Sequence, residues 1–190
     1  MNPKTKPMKI DIVSDVVCPW CYVGKKKLEI ALKDMESEIL PEIHWRPFQL
    51  SPEVPEEGQN YKEHLAAKFG SLKAVEGAWQ RLVQIGNEIG INFDFEKIAK
   101  SVNTLRLHVL IASLKDNNQQ DQLAELLFEA HFEKGIDLTI LENVYFLAKD
   151  FFESKEEFLT IWNHDSAKEE IKKEISYYHQ NGISGVPYYI

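Results

Sequence analysis

The chain has two cysteines, and they stand close together as Cys18-Pro19-Trp20-Cys21. A bridge between them would close too small a loop to act as a useful crosslink, because the entropy a disulfide removes from the unfolded chain grows with loop length. Reversible chemistry is the better reason for such a pair. Thiol-disulfide exchange needs a thiolate, and a cysteine with an ordinary pKa of about 8.5 is mostly protonated at neutral pH. At the start of a helix, Cys18 would have its charge stabilised by free backbone N–H groups and by the positive end of the helix dipole. Pro19 suits the first helical position, where the amide proton it lacks would have had no partner. Cys21, one turn further in, would attack a mixed disulfide on Cys18 and release its other half, and it is expected to be the more buried thiol. Metal readings are weaker. Zinc wants about four ligands and no other cysteine exists, while a c-type haem site needs histidine at position 22, where Tyr22 stands.

Other residues near the pair have two readings each. Trp20 either covers one side of the reactive sulfur or is an exposed hydrophobe of the turn. Asp15 either opposes thiolate formation at close range or is a solvated carboxylate. Lys25, Lys26 and Lys27 read best as a solvated charged face. Six histidines, at 44, 64, 108, 131, 164 and 179, form no set with metal-ligand spacing, so no metal is expected. His108 either faces the dithiol or is a hydrogen-bonded core residue within an apolar helix.

The elements that must position these residues follow from periodicity. Residues 8–14 read as a strand. After Pro19, the residues Leu28, Ala31, Leu32, Met35 and Ile39 recur at helical spacing until Pro41 stops the pattern. Residues 42–50, with Ile43, Trp45 and Phe48, read as a second strand, followed by a Pro-rich loop over 51–58. The opening is therefore β-α-β, favouring a parallel pair with a right-handed crossover. From 59 to 180 successive helical segments follow, broken at Gly70, Gly90, Asn117 and Gly135. Leu123, Leu126, Leu127 and Ala130 make one apolar stripe, and Leu105, Ile111, Ala112 and Leu114 a less regular one. Residues 182–190 return to a turn and β-rich sequence. The expected fold class is α/β: a first core part at 8–58, a helical insertion at 59–180 between the second and third strands, and a second core part at 181–190.

A chain of 190 residues can bury roughly 70% of its unfolded surface, and 44% hydrophobic residues give it globular composition. Thirty Asp and Glu against 22 Lys and Arg leave a formal charge of -8, which disfavours nucleic acid and anionic lipid as partners. Residues 1–10 carry three Lys and two Pro but no apolar stretch of signal-peptide or membrane-span length. A cytoplasmic protein is expected, with residues 1–7 as a loose extension.

Four segments carry a resemblance spanning nearly the whole chain. They are Ser14-Asp15-Val16-Val17-Cys18-Pro19-Trp20-Cys21-Tyr22-Val23-Gly24, Trp45-Arg46-Pro47-Phe48-Gln49-Leu50, Leu127-Phe128-Glu129-Ala130-His131-Phe132 and Gly185-Val186-Pro187. Together they resemble the DsbA-like branch of the thioredoxin superfamily, in particular its FrnE-type dithiol oxidoreductases, which are related to 2-hydroxychromene-2-carboxylate isomerases and kappa-class glutathione transferases. The resemblance implies a thioredoxin-like core with a large all-helical insertion. It implies catalysis by Cys18 and Cys21, and a cis Pro187 facing the dithiol. The backbone of Val186 would pair with an extended substrate, and Trp20 would contribute to binding. Pro19, Asn103 and His108 are implied auxiliaries. The stretch 103–110 keeps Asn103 and His108 of the pattern but has Leu107 for Ala and Val109 for Arg. No tightly bound cofactor is implied, with glutathione as a redox partner and a disulfide- or thiol-containing protein or small molecule as substrate. Two rivals remain: a glutathione-dependent isomerase or transferase, whose members commonly have Ser where Cys18 stands, and a non-catalytic peptide-binding module. Family members continue past the Gly-Val-Pro strand with a further strand and helix, so the chain is expected to be truncated at Ile190.

Overall fold

The computed structural model describes residues 6–190. Strand β1 (Lys6–Ser14) starts exposed and ends fully buried, so its last residues lie inside the core just before the cysteine pair. Lys6 and Pro7 belong to this strand rather than to a loose extension, and residues 1–5 lie outside the described residues. Strand β2 (Ile39–Pro47) pairs with β1 in parallel, from Lys6 opposite Ile39 to Ser14 opposite Pro47. Helix α1 (Pro19–Asp34) makes the crossover between them.

Helix α1 is shorter than its apolar spacing predicts. It ends at Asp34 with Met35 as its cap, and Ile39 opens β2 instead of closing the helix. Burial decides the matter: Ile39 is buried on the sheet, whereas Met35 stays exposed. Pro41 then falls inside a strand, which is tolerated because β2 lies at the edge of the sheet.

The segment between the core strands begins with a short antiparallel ladder. In it β3 (Gln59–Asn60) meets β4 (Lys100–Ser101). Two helices lie between these strands, α2 (Tyr61–Phe69) and α3 (Leu72–Ile89), closed by left-handed Gly70 and Gly90 at φ 87 and 84. Five more follow: α4 (Leu105–Ser113), α5 (Asn117–Phe132), α6 (Leu141–Ala148), α7 (Lys155–Trp162) and α8 (Asp165–Gln180). Asn117 begins a helix capped by Asp116 rather than breaking one. The chain returns as β5 (Tyr188–Tyr189), antiparallel to β1, giving the order β2-β1-β5. No helix among the described residues is long and apolar enough to cross a membrane.

Two features lock α1 to the inserted helices. Tyr22 stacks on Phe128 of α5 at 5.1 Å between ring centroids and meets Phe93 edge-on at 5.9 Å, while its hydroxyl donates to Glu133 at 2.7 Å. Beside it, Lys25 is 3% exposed and pairs with Glu29, Asp121 and Glu125. Burial works against its charge, yet the three carboxylates hold the ammonium's pKa above the ordinary lysine value. Lys25 is thus a buried clamp between α1 and α5, not part of a solvated face. Lys26 is half-buried and shares Glu125, and Lys27 alone of the run is exposed.

Candidate active site

Strand β1 delivers the chain into a tight turn in which the Asp15 carbonyl accepts from the Cys18 amide at 2.9 Å. Cys18 is the N-cap of α1, with extended backbone at φ -96 and ψ 111, and Pro19 takes the first helical position. The Cys18 carbonyl accepts from the amides of Cys21 and Tyr22 at 3.0 and 3.3 Å, closing the first turn around the dithiol. Both cysteines are free.

Burial does not rank the two thiols, since Cys18 is 3% and Cys21 2% exposed. What separates them is access to a cavity, which Cys18 lines and Cys21 does not. The Cys21 thiol is pushed well above its ordinary pKa by burial first, and then by hydrogen bonding and charge at Cys18. The Cys18 side chain caps no helix amide. Its sulfur instead donates to the Val186 carbonyl at 3.7 Å.

The Val186–Pro187 peptide bond is cis. Gly24, on the next turn of α1, lets this loop approach: a Cβ there would overlap the Tyr189 hydroxyl and stand 3.0 Å from Pro187 Cγ.

Asp15 is buried, unlike an ordinary solvated carboxylate. Its Oδ2 accepts from the Leu50 amide at 2.8 Å, and its Oδ1 lies 3.5 Å from the Val17 amide and 3.6 Å from His108 Nε2. It therefore ties the turn before Cys18 to the loop after β2. His108 joins the same tie, donating to the Phe48 carbonyl at 2.8 Å, and it lines a separate void of about 10 Å³ rather than the cavity at Cys18. Asn103 accepts from Gln49 Nε2 at 3.0 Å and from the Leu105 amide at 3.1 Å, and donates to the Val54 carbonyl at 2.7 Å. Both auxiliaries brace the wall behind the site.

The cavity at Cys18 measures about 330 Å³ and lies between the dithiol turn, the Val186 loop and helices α2 and α3. Leu65, Val75, Leu82 and Val102 form apolar walls, and Tyr61 stacks on Trp79 at 6.0 Å. Trp20 stands at the rim, 39% exposed, with the Arg81 guanidinium 6.0 Å from its ring. Four side chains that are charged or polar reach the cavity from the insertion: His64, Lys68, Ser101 and His131. His64 contacts Ser101 Oγ through Nδ1 at 2.7 Å. His131, 2% exposed, has its pKa lowered to about 4 by burial, so it is neutral at physiological pH.

Sequence reasoning singled out neither Tyr61, Trp79, His64 nor His131 for a site. They come from separated segments with no shared spacing, although His131 sits in one of the four resemblance segments. Among the described residues no cluster of His, Cys, Asp and Glu could hold a metal ion.

A parallel β-α-β unit with a dithiol at the helix start, completed by an antiparallel strand entered through a cis-proline, defines a thioredoxin-like fold. The chain belongs to the DsbA-like thioredoxin domain family, whose model matches residues 9–190. Among curated proteins it is 23% identical over 146 residues to the uncharacterised protein YwbO of Bacillus subtilis, covering 74% of this chain and 64% of that protein. The chain thus spans somewhat less than two thirds of that relative. Among solved structures, a probable DsbA oxidoreductase of Streptomyces coelicolor superposes with a TM-score of 0.83 at 25% identity, over 96% of this chain and 80% of that one. A 2-hydroxychromene-2-carboxylate isomerase shares the fold with a TM-score of 0.75 at 15% identity, over 96% and 85% of the two chains.

Proposed function

We propose that the protein is a thiol-disulfide oxidoreductase in which Cys18 attacks and Cys21 resolves. The observation that carries this reading is the asymmetry of the pair: Cys18 lines a cavity at a helix N-terminus, and Cys21 is sealed one turn behind it with a raised pKa. In the forward direction the Cys18 thiolate attacks one sulfur of a substrate disulfide. A bond forms to that sulfur, the substrate S–S bond breaks, and the second half leaves as a thiolate. Cys21 then gives up its proton to solvent and attacks the Cys18 sulfur, expelling the first half and leaving a Cys18–Cys21 disulfide. The substrate gains two electrons and the chain loses them. A low-molecular-weight thiol such as glutathione restores the dithiol, as suits a cytoplasmic protein.

Trp20 and the Val186–Pro187 loop would hold the substrate beside Cys18, with the Val186 backbone offered to an extended chain. The same-fold isomerase keeps a glutathione-dependent reaction as the rival, but two adjacent free thiols favour exchange. Insulin reduction with glutathione recycling tests the proposal. Activity should fall at least a hundredfold in Cys18→Ser, and persistence of activity in that variant would overturn the mechanism.

A further inference from the structure

The reaction at sulfur does not use most of the cavity that Cys18 lines. Its volume, about 330 Å³, lies within the range of small-molecule sites. Its walls are Leu65, Val75, Leu82 and Val102 with the paired planes of Tyr61 and Trp79, which are within 8° of parallel. Among the lining side chains there is no carboxylate. The one ammonium, Lys68, is at the exposed rim, and two of its three donors are engaged by the Leu50 carbonyl and Ser51 Oγ. Ser101 is engaged by His64.

His131 is different. It is almost wholly buried and lines the cavity, yet among the described residues neither of its ring nitrogens has a hydrogen-bond partner. Two aromatic rings meet it edge-on, Tyr61 at 6.4 Å and Phe132 at 4.7 Å. A buried imidazole is costly unless something satisfies it. Because it is neutral at physiological pH, it offers one donor and one acceptor and no charge.

We infer that the cavity takes the body of a small, planar, uncharged thiol or disulfide, and that His131 donates the hydrogen bond that orients this body with its sulfur toward Cys18. An extended peptide can pair with the Val186 backbone at the rim, but inside the chamber its many main-chain groups would meet only two unpaired imidazoles, His131 and the Nε2 side of His64. Glutathione would bring two carboxylates and an ammonium into an apolar chamber, so it acts from outside as the reductant. The reacting end of the substrate rests on the oxidoreductase reading, whereas the binding of its body does not.

The test therefore uses a redox-inert probe, 4-(methylthio)pyridine, at a pH where its ring is uncharged. It is titrated into the Cys18→Ser protein with tryptophan fluorescence and calorimetry as readouts. Saturable binding is expected, weakened about tenfold in the added His131→Phe background, as the loss of one hydrogen bond predicts. Thioanisole, which lacks the ring nitrogen, should bind both proteins equally. The His131→Phe chain should be at least as stable as its parent, since no protein hydrogen bond is lost, and a large loss of stability would show a structural role instead. Ala78→Trp, placed on the exposed face of α3 at the cavity mouth, should block the probe without touching the core. Absence of binding in the parent, or binding indifferent to both variants, would overturn the inference. Insulin reduction by the intact dithiol protein is measured separately, so loss of the redox reading and loss of this one are told apart.

Discussion

The Cys18 thiol donates to the carbonyl oxygen of Val186 at 3.7 Å, across 168 positions of sequence. The helix start and the cis-proline loop are therefore two halves of one site. The contact belongs to the protonated thiol. Once Cys18 ionises, sulfur and carbonyl oxygen repel each other, and both become free for a substrate.

Removing the resolving thiol should trap the intermediate. Cys21→Ser incubated with hydroxyethyl disulfide should accumulate an adduct on Cys18, seen by intact-mass spectrometry and removed by dithiothreitol. In the unaltered protein, resolution should accelerate as pH rises through the alkaline range, because Cys21 is protonated at neutrality and its pKa lies well above the usual thiol value. A resolution rate that levels off near neutral pH would contradict the buried-thiol assignment.

Gly24 should be sensitive to a single methyl. In Gly24→Ala the new Cβ meets Pro187 and the Tyr189 hydroxyl, costing about 1 kcal/mol or more and displacing the loop from Cys18. Exchange rate should drop several-fold. Removing the hydroxyl as well, in Gly24→Ala with Tyr189→Phe, should recover much of both losses. Such coupling is expected of side chains in contact, and a double-mutant cycle of thermal melts and exchange rates measures it.

Lys25→Met should destabilise the fold by about 2–3 kcal/mol, read from the shift in denaturant midpoint. The change leaves Asp121 and Glu125 facing each other without the buried cation. The carboxylates are partly solvated, which keeps the effect below that of a fully buried pair. Lys27→Met, on the exposed side of the same run, should change little.

His131 makes stability depend on pH. Its folded pKa of about 4 lies below the ordinary value of 6.5, so between these the unfolded chain binds a proton that the native state refuses. Its stabilising contribution is complete above pH 6.5 and is lost as pH falls toward 4, on the order of 3 kcal/mol in all. Denaturation curves across this range should be flatter for His131→Phe. An unchanged slope would show that the imidazole is protonated or solvated in the native state.

The sequence carries the dithiol turn, the parallel β1–β2 pair and the helical middle because each rests on local pattern. Pro19 at a helix start and alternating apolar residues in β1 are read directly. The stretch from Met35 to Ile39 misleads for the same reason. Its spacing suits a helix, and only the pairing of Ile39 with Lys6 across the sheet makes it a strand. The cavity is not legible, since Tyr61, Trp79, Val102 and His131 meet only through tertiary packing. Asp15 and Lys25 look like surface charges in sequence, and their burial depends on partners 35 and about a hundred residues away respectively.

The distance in sequence between Cys18 and Val186 has a consequence for the newly made chain. The two thiols emerge together and early, before the helices that wall the cavity and the loop that faces it. Until those later segments dock, the pair is a bare local dithiol, as ready to meet any oxidant as any other. Discrimination among partners is acquired only when the distant halves join.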